Sequence, residues 1–192
     1  MTKTKIKTKT KKKERILYEN FLPEADFKVL ENTITSPDFP WIWREGAIPP
    51  SDGGCSGAIC FSSMLFGMYG VLNRHFDACI PILNKLNCDY ILRIKANLDL
   101  KVDEVLKPTG FHTDHDVYAD GIYTMLLYLN DCNGATIFKE DNAPVKSKRN
   151  RAIIFPTSHI HAGCNQTDTP TRFVLNLNFL SPDPLPEGGQ YF

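Results

Sequence analysis

The hydrophobic pattern changes period once along the chain, near residue 90. Before that point, Phe27, Leu30 and Ile34 recur at helical spacing behind Pro23, with Glu24 and Asp26 suited to the positive end of a helix. The spacing predicts a helix that ends before Pro37, preceded by a short strand at Arg15-Ile16-Leu17-Tyr18. Residues 59–70 are apolar and fit a strand or a hairpin. Residues 73–88 read as a helix with Phe76, Cys79/Ile80, Leu83 and Leu86 on one stripe, Pro81 marking a kink or a late start. From Tyr90 the period becomes two: Ile94, Ala96 and Leu98 alternate with Arg93, Lys95 and Asn97, the pattern of a strand with one apolar and one polar face. Further strands are expected at about 111–116, 122–130, 135–139, 152–156 and 171–180, separated by turn signals at Asn133-Gly134, Asp141-Asn142 and Pro156-Thr157. Such a run suggests an α+β, mainly β fold, a sandwich or barrel with helices on one outer face.

Length and composition narrow this picture. The 192 residues suit one domain over 15–192 behind a disordered Lys/Thr-rich tail over 1–14. Seven of the 22 basic residues are lysines in the first 13 positions, so the rest carries 15 basic against 22 acidic residues. That balance argues against a nucleic-acid groove covering the whole body. No run approaches the roughly 18 apolar residues of a membrane span, and no apolar stretch follows the N-terminal lysines as a signal peptide requires. The six cysteines are scattered without a Cys-x-x-Cys pair, which fits reduced, mostly buried thiols and a cytoplasmic protein. Phe39-Pro40-Trp41-Ile42-Trp43 reads as an aromatic core cover, and the Gly/Pro-rich stretch from Pro49 to Gly57 suits a lid.

Candidate chemistry centres on Gly110-Phe111-His112-Thr113-Asp114-His115-Asp116. On an extended segment His112 and Asp114 share a side, so an imidazole and a carboxylate can aim at one point. Two ligands alone do not hold a metal tightly. Barrel closure brings remote strands together, and two further candidates, His159 and His161, follow the apolar strand Ala152-Ile153-Ile154-Phe155. Two histidines and one carboxylate form the facial triad of non-heme iron(II) oxygenases, with positions left open for co-substrate and dioxygen. Arg172 opens the next strand and shares its face with Val174, Asn176 and Asn178. An inward arginine is costly unless it meets an anion, and its planar fork suits the distal carboxylate of a dicarboxylic acid. Together these features suggest an iron(II) enzyme that consumes 2-oxoglutarate.

Residues from about Leu92 to Phe179 resemble the catalytic core of the 2-oxoglutarate and iron(II)-dependent dioxygenases, in particular the prolyl 4-hydroxylase-like branch. The resemblance is carried by His112-Thr113-Asp114, Thr124-Met125-Leu126-Leu127-Tyr128-Leu129-Asn130, Gly134-Ala135-Thr136-Ile137-Phe138, Asn150-Arg151-Ala152-Ile153-Ile154-Phe155-Pro156, His161-Ala162-Gly163 and Arg172. It departs at Ala135, where relatives commonly have a second glycine. It implies a double-stranded β-helix (jelly-roll) core with the N-terminal helices packed on one sheet. It implies Fe(II), 2-oxoglutarate and O2 as cofactor and co-substrates, with ascorbate a further candidate. It also selects His161 over His159 as the third metal ligand beside His112 and Asp114, and gives 2-oxoglutarate binding to Tyr128 and Arg172. The implied reaction is hydroxylation of a C–H bond, with succinate and CO2 as co-products; the carboxylate of Asp114 favours this over halogenation.

The expected substrate is a peptidyl or free amino acid such as proline, or another small molecule. Oxidative nucleic-acid demethylation is the alternative within the same chemistry, disfavoured because position 178 is Asn where the repair demethylases carry a second arginine. A non-catalytic metal-binding module keeps the barrel but would not need the complete triad and anchor, and a zinc hydrolase or another cupin would not need Arg172. His115 and Asp116 are expected at the rim, His159 in a loop or behind the metal site, and His75 at the surface or in packing. Arg93, Lys95 and Asn97 fit a pocket lining and a solvated face equally well; Asn176 and Asn178 are the stronger pocket candidates.

Overall fold

The computed structural model describes residues 15–45, 59–86, 88–103, 108–114, 121–181 and 185–192. The expected tail, the Pro49–Gly57 stretch, His115 and Asp116 lie outside the described residues.

Among the described residues, twelve strands form two sheets. In chain order they are β1 (Ile16–Tyr18), β2 (Ile42–Glu45), β3 (Ile59–Gly67), β4 (Gly70–Val71), β5 (Tyr90–Leu100), β6 (Ile122–Tyr128), β7 (Ala135–Phe138), β8 (Pro144–Lys146), β9 (Arg151–Pro156), β10 (His161–Cys164), β11 (Thr171–Leu180) and β12 (Gln190–Tyr191). The large sheet runs β12-β1-β9-β6-β11-β5-β3-β2, with β4 hairpinned onto β3, and the small sheet runs β10-β7-β8. Every pairing is antiparallel. This is the double-stranded β-helix (jelly-roll) architecture that the family resemblance implied, and it narrows the sandwich or barrel suggested by the run of strands.

The helices cover one face of the large sheet. Helix α1 (Glu24–Ile34) buries Phe27, Leu30 and Ile34. They join a core with Ile94, Ala96, Met125, Leu127, Ile154, Leu175 and Leu177 from the central strands. Burying side chains of this size stabilises the fold by about 1.5–3 kcal/mol each. The opposite face of the same strands carries Leu126, Tyr128, Ile153, Phe155 and Val174, which pack with Phe138 and Val145 of the small sheet. Alternation in the central strands therefore builds two cores, one toward the helices and one inside the barrel.

Two expected elements differ. Residues 73–88 are a 3-10 helix (Arg74–Cys79) followed by α2 (Ile80–Leu86), so Pro81 marks a late start in the first turn, where its missing N–H costs nothing. The change from three to 3.6 residues per turn rotates the buried stripe onto Cys79, Ile82 and Leu86 and leaves Ile80 exposed. Of the strand expected at about 111–116, the described part, 111–114, is a short extended run. Pro108 and His112 form isolated antiparallel bridges to Cys164 and His161, so the segment lies along β10 at the edge of the small sheet.

Candidate metal and co-substrate site

His112 and His161 face each other as a cross-strand pair: each backbone N–H donates to the other's carbonyl at 2.9 Å. Their rings lie 4.7 Å apart. Each ring holds Nδ1 against the backbone carbonyl two residues earlier, Gly110 O at 3.2 Å from His112 and His159 O at 3.1 Å from His161. With Nδ1 donating, Nε2 is left unprotonated and directed inward, the tautomer a metal ligand needs. Phe155 and Phe138 pack on the His161 ring.

The Asp114 carboxylate completes a cluster whose ligand atoms all lie within 4.8 Å of one another. Its Oδ2 is 3.6 Å from His161 Nε2. Bonds of about 2 Å would place adjacent ligands on one ion about 3 Å apart, so the donor set and its spacing fit a small divalent cation. Asp114 is held from behind: Arg93 Nη2 donates to Oδ1 at 2.9 Å, and Asn176 Nδ2 donates to Oδ1 at 3.0 Å and Oδ2 at 3.1 Å. Burial alone would raise the Asp114 carboxyl, but His161, Arg93, His112 and the Asn176 amide outweigh it and hold the group well below the usual carboxylate range. Burial, reinforced by His161, pushes His112 below the ordinary imidazole value and favours its neutral, ligating form.

A second polar group lies deeper in the barrel. Arg172 is 3% exposed and its guanidinium sits over the Tyr128 ring, 5.5 Å from the centroid. Its Nη1 pairs with Asp99 Oδ2 at 2.9 Å, its Nε donates to Ser147 Oγ at 3.2 Å, and Nη2 is 3.5 Å from Thr136 Oγ1. Tyr128, fully buried, donates its hydroxyl to Thr136 Oγ1 at 2.8 Å. Burial raises the Tyr128 phenol, so it remains a donor at neutral pH. Guanidinium, phenol and threonine hydroxyl thus lie together, a donor set suited to a carboxylate.

The five residues expected at the site, His112, Asp114, His161, Tyr128 and Arg172, thus fall into two polar groups on one barrel interior. His159 is buried in a turn beside Phe138 and Phe155, outside the cluster of ligand atoms. His75 packs on Phe39. Of the two readings of the β5 polar face, the structure selects the site, since Arg93 holds Asp114. Asn176 also reaches Asp114, whereas the Asn178 amide donates to Thr124 Oγ1 at 2.9 Å. The sequence reading missed Asp99, Ser147 and Thr136 as Arg172 partners. Asp99 was detectable, because it continues the alternation of Arg93, Lys95 and Asn97 and pairs directly across from Arg172.

The jelly-roll encloses a His-Asp-His cluster, the donor set of a two-histidine, one-carboxylate facial triad, and a buried arginine. Residues 102–180 match the model of the 2OG-Fe(II) oxygenase superfamily. These enzymes are oxidoreductases that use iron(II), 2-oxoglutarate and O2. No curated protein matches the chain in sequence. Among solved structures it is similar to an oxidoreductase of the 2OG-Fe(II) oxygenase family from Burkholderia pseudomallei, with 14% identity, TM-score 0.59, and 84% of this chain and 80% of that chain covered. It is also similar to the viral collagen prolyl hydroxylase of Paramecium Bursaria Chlorella virus-1, with 15% identity, TM-score 0.53 and coverage of 87% and 96%. The alpha-ketoglutarate-dependent epimerase SnoN from nogalamycin biosynthesis shares the fold as well, with 11% identity, TM-score 0.61 and coverage of 87% and 76%. Among the described residues, no helix is long and apolar enough to cross a membrane.

Proposed function

We propose that residues 15–192 form one catalytic domain of the prolyl 4-hydroxylase-like branch, hydroxylating a C–H bond of a peptidyl or free amino acid such as proline. His112, Asp114 and His161 hold iron(II), and Arg172 with Tyr128 receives the distal carboxylate of 2-oxoglutarate. The observation that carries this reading is the pair of inward Nε2 atoms beside the Asp114 carboxylate, with both Nδ1 atoms held against backbone carbonyls. Bound iron(II), with 2-oxoglutarate and O2, supplies the oxidation of an unactivated C–H bond, with succinate and CO2 as co-products.

The protein's own residues position and shield that chemistry. Gly110 and His159 carbonyls fix the imidazole tautomers, and Arg93 and Asn176 fix the carboxylate. Asp99 and Ser147 hold the Arg172 fork, and Phe138 and Phe155 close the wall behind His161 against water. The test is anaerobic addition of iron(II) and 2-oxoglutarate, which should give a weak visible charge-transfer band. The band should vanish in His161→Ala; no band in the wild type, or an unchanged band in the variant, sinks the assignment.

A further inference from the structure

The polar face of β5 is more cationic than the metal and co-substrate require. Arg93, Lys95, Asn97 and Asp99 alternate along it, with Asn178, Asn176, Val174 and Arg172 of β11 opposite. Lys95 pairs in register with Asn176, whose amide holds Asp114, and burial together with Arg93 lowers the Lys95 ammonium. Of these charges, Arg172 and Asp99 cancel as an ion pair at 2.9 Å. A divalent metal ion cancels the two carboxylates of 2-oxoglutarate. Among the described residues, Asp114 then answers only one of Arg93 and Lys95, so one positive charge of that pair is left without a counter-charge. Such a surplus is costly unless an anion joins it.

Arg93 is also incompletely used. Its described hydrogen bonds all leave from Nη2, to Asp114 and, at 3.4 Å, to Asn176. Its buried Nε has no hydrogen-bond partner among the described residues. Arg93 faces the same side of the sheet as the metal cluster, where the primary substrate must lie. Resting on the function proposed above, we infer that the primary substrate carries a carboxylate, which seats on Arg93 and Lys95 beside the metal. The carboxylate belongs either to a free α-carboxyl group or to an acidic side chain next to the oxidised residue.

The experiment uses the full chain loaded with Mn(II) and saturating 2-oxoglutarate, without oxygen chemistry, and reads paramagnetic broadening of ligand NMR signals. Three probes are compared: N-acetyl-L-proline with a free α-carboxylate, acetyl-Glu-Pro-amide with a side-chain carboxylate, and neutral N-acetyl-L-prolinamide. At least one carboxylate probe should bind tenfold or more tightly than the neutral amide, and which one does so identifies the source of the anion. Lys95→Met should remove that advantage while broadening of 2-oxoglutarate stays unchanged, and Lys95→Arg should retain it. Equal binding of all three probes, binding of no carboxylate probe, or an advantage that survives Lys95→Met overturns the inference. If 2-oxoglutarate itself is not broadened in the wild type, the metal and co-substrate assignment fails, and this inference falls with it.

Discussion

Replacing Arg172 by Met tests the proposed co-substrate anchor apart from the proposed metal ligands. The guanidinium is 3% exposed, so a carboxylate meeting it does so with little water to weaken the contact. A hydrogen bond to a charged partner contributes about 1.5–3 kcal/mol, which corresponds to a roughly ten- to hundredfold rise in the 2-oxoglutarate dissociation constant. A second consequence is that Asp99 loses its partner at 2.9 Å. Stranding one member of a buried pair costs about 3–5 kcal/mol; the Asp99 side chain is 21% exposed, so the loss should fall below that range. Asp99→Asn in the Arg172→Met background should therefore restore much of the stability but none of the 2-oxoglutarate affinity. Denaturant melts give the first quantity. Anaerobic titration of the charge-transfer band gives the second, with iron(II) affinity measured separately. Arg172 is structural rather than an anchor if iron and 2-oxoglutarate affinities fall together, or if the double variant recovers co-substrate binding.

Gly134→Ala should act on the same anchor from behind. A Cβ there would meet Arg172 Cδ at 2.8 Å and the Cys164 carbonyl oxygen at 3.0 Å, so 2-oxoglutarate affinity should drop several-fold with iron affinity little changed; unchanged titrations of both would refute it. Asn150→Ala should cost about 2–3 kcal/mol in denaturant melts. Its amide donates to Leu22 O and accepts from Leu22 N, both buried, and its φ of 59° is a conformation asparagine tolerates better than alanine. Acidification should weaken both metal binding and the metal-free fold. His112 and Asp114 both have folded values below their unfolded ones, so the unfolded chain binds more protons as pH falls. The His112 contribution should fade below about pH 6.5 and that of Asp114 from about pH 3.9 downward; a metal-free protein that gains stability on acidification contradicts this.

Sequence alternation carried most of the barrel. In β5, β6, β9 and β11 the period of two assigns each side chain to one of two cores, and burial on both faces leaves little freedom of register. Elements stabilised by position rather than pattern were hidden. β10 is only His161–Cys164, and its partner run at Pro108–His112 is extended without a regular ladder, so neither has the length to show a period. Of the expected stripe, Phe76, Cys79, Leu83 and Leu86 reach the core, while the preceding 3-10 turn shifts the angular phase so that Ile80 faces out and Ile82 in, which a uniform helical count cannot show. At the site, His112, Asp114, His161 and Arg172 were legible as residue types that are costly to bury without chemistry to perform. Their supporting contacts were less so: Ser147 and Thr136 are small polar residues whose role depends on which strands become neighbours.

Among the described residues, the run from Pro108 to Asp114 meets the small sheet through the bond from Thr109 N to Gly163 O and the reciprocal His112–His161 pair. It is an unzippable edge, and an ion shared by His112, Asp114 and His161 would rivet it shut across its last rung. Chelation should therefore loosen one seam of the barrel ahead of the whole. Amide hydrogen exchange at His112 and His161 should quicken, while Leu127 and Ile154 in the central strands keep their protection. Metal content would then govern whether β10 is a covered strand or an open edge, linking iron supply to aggregation as well as to turnover.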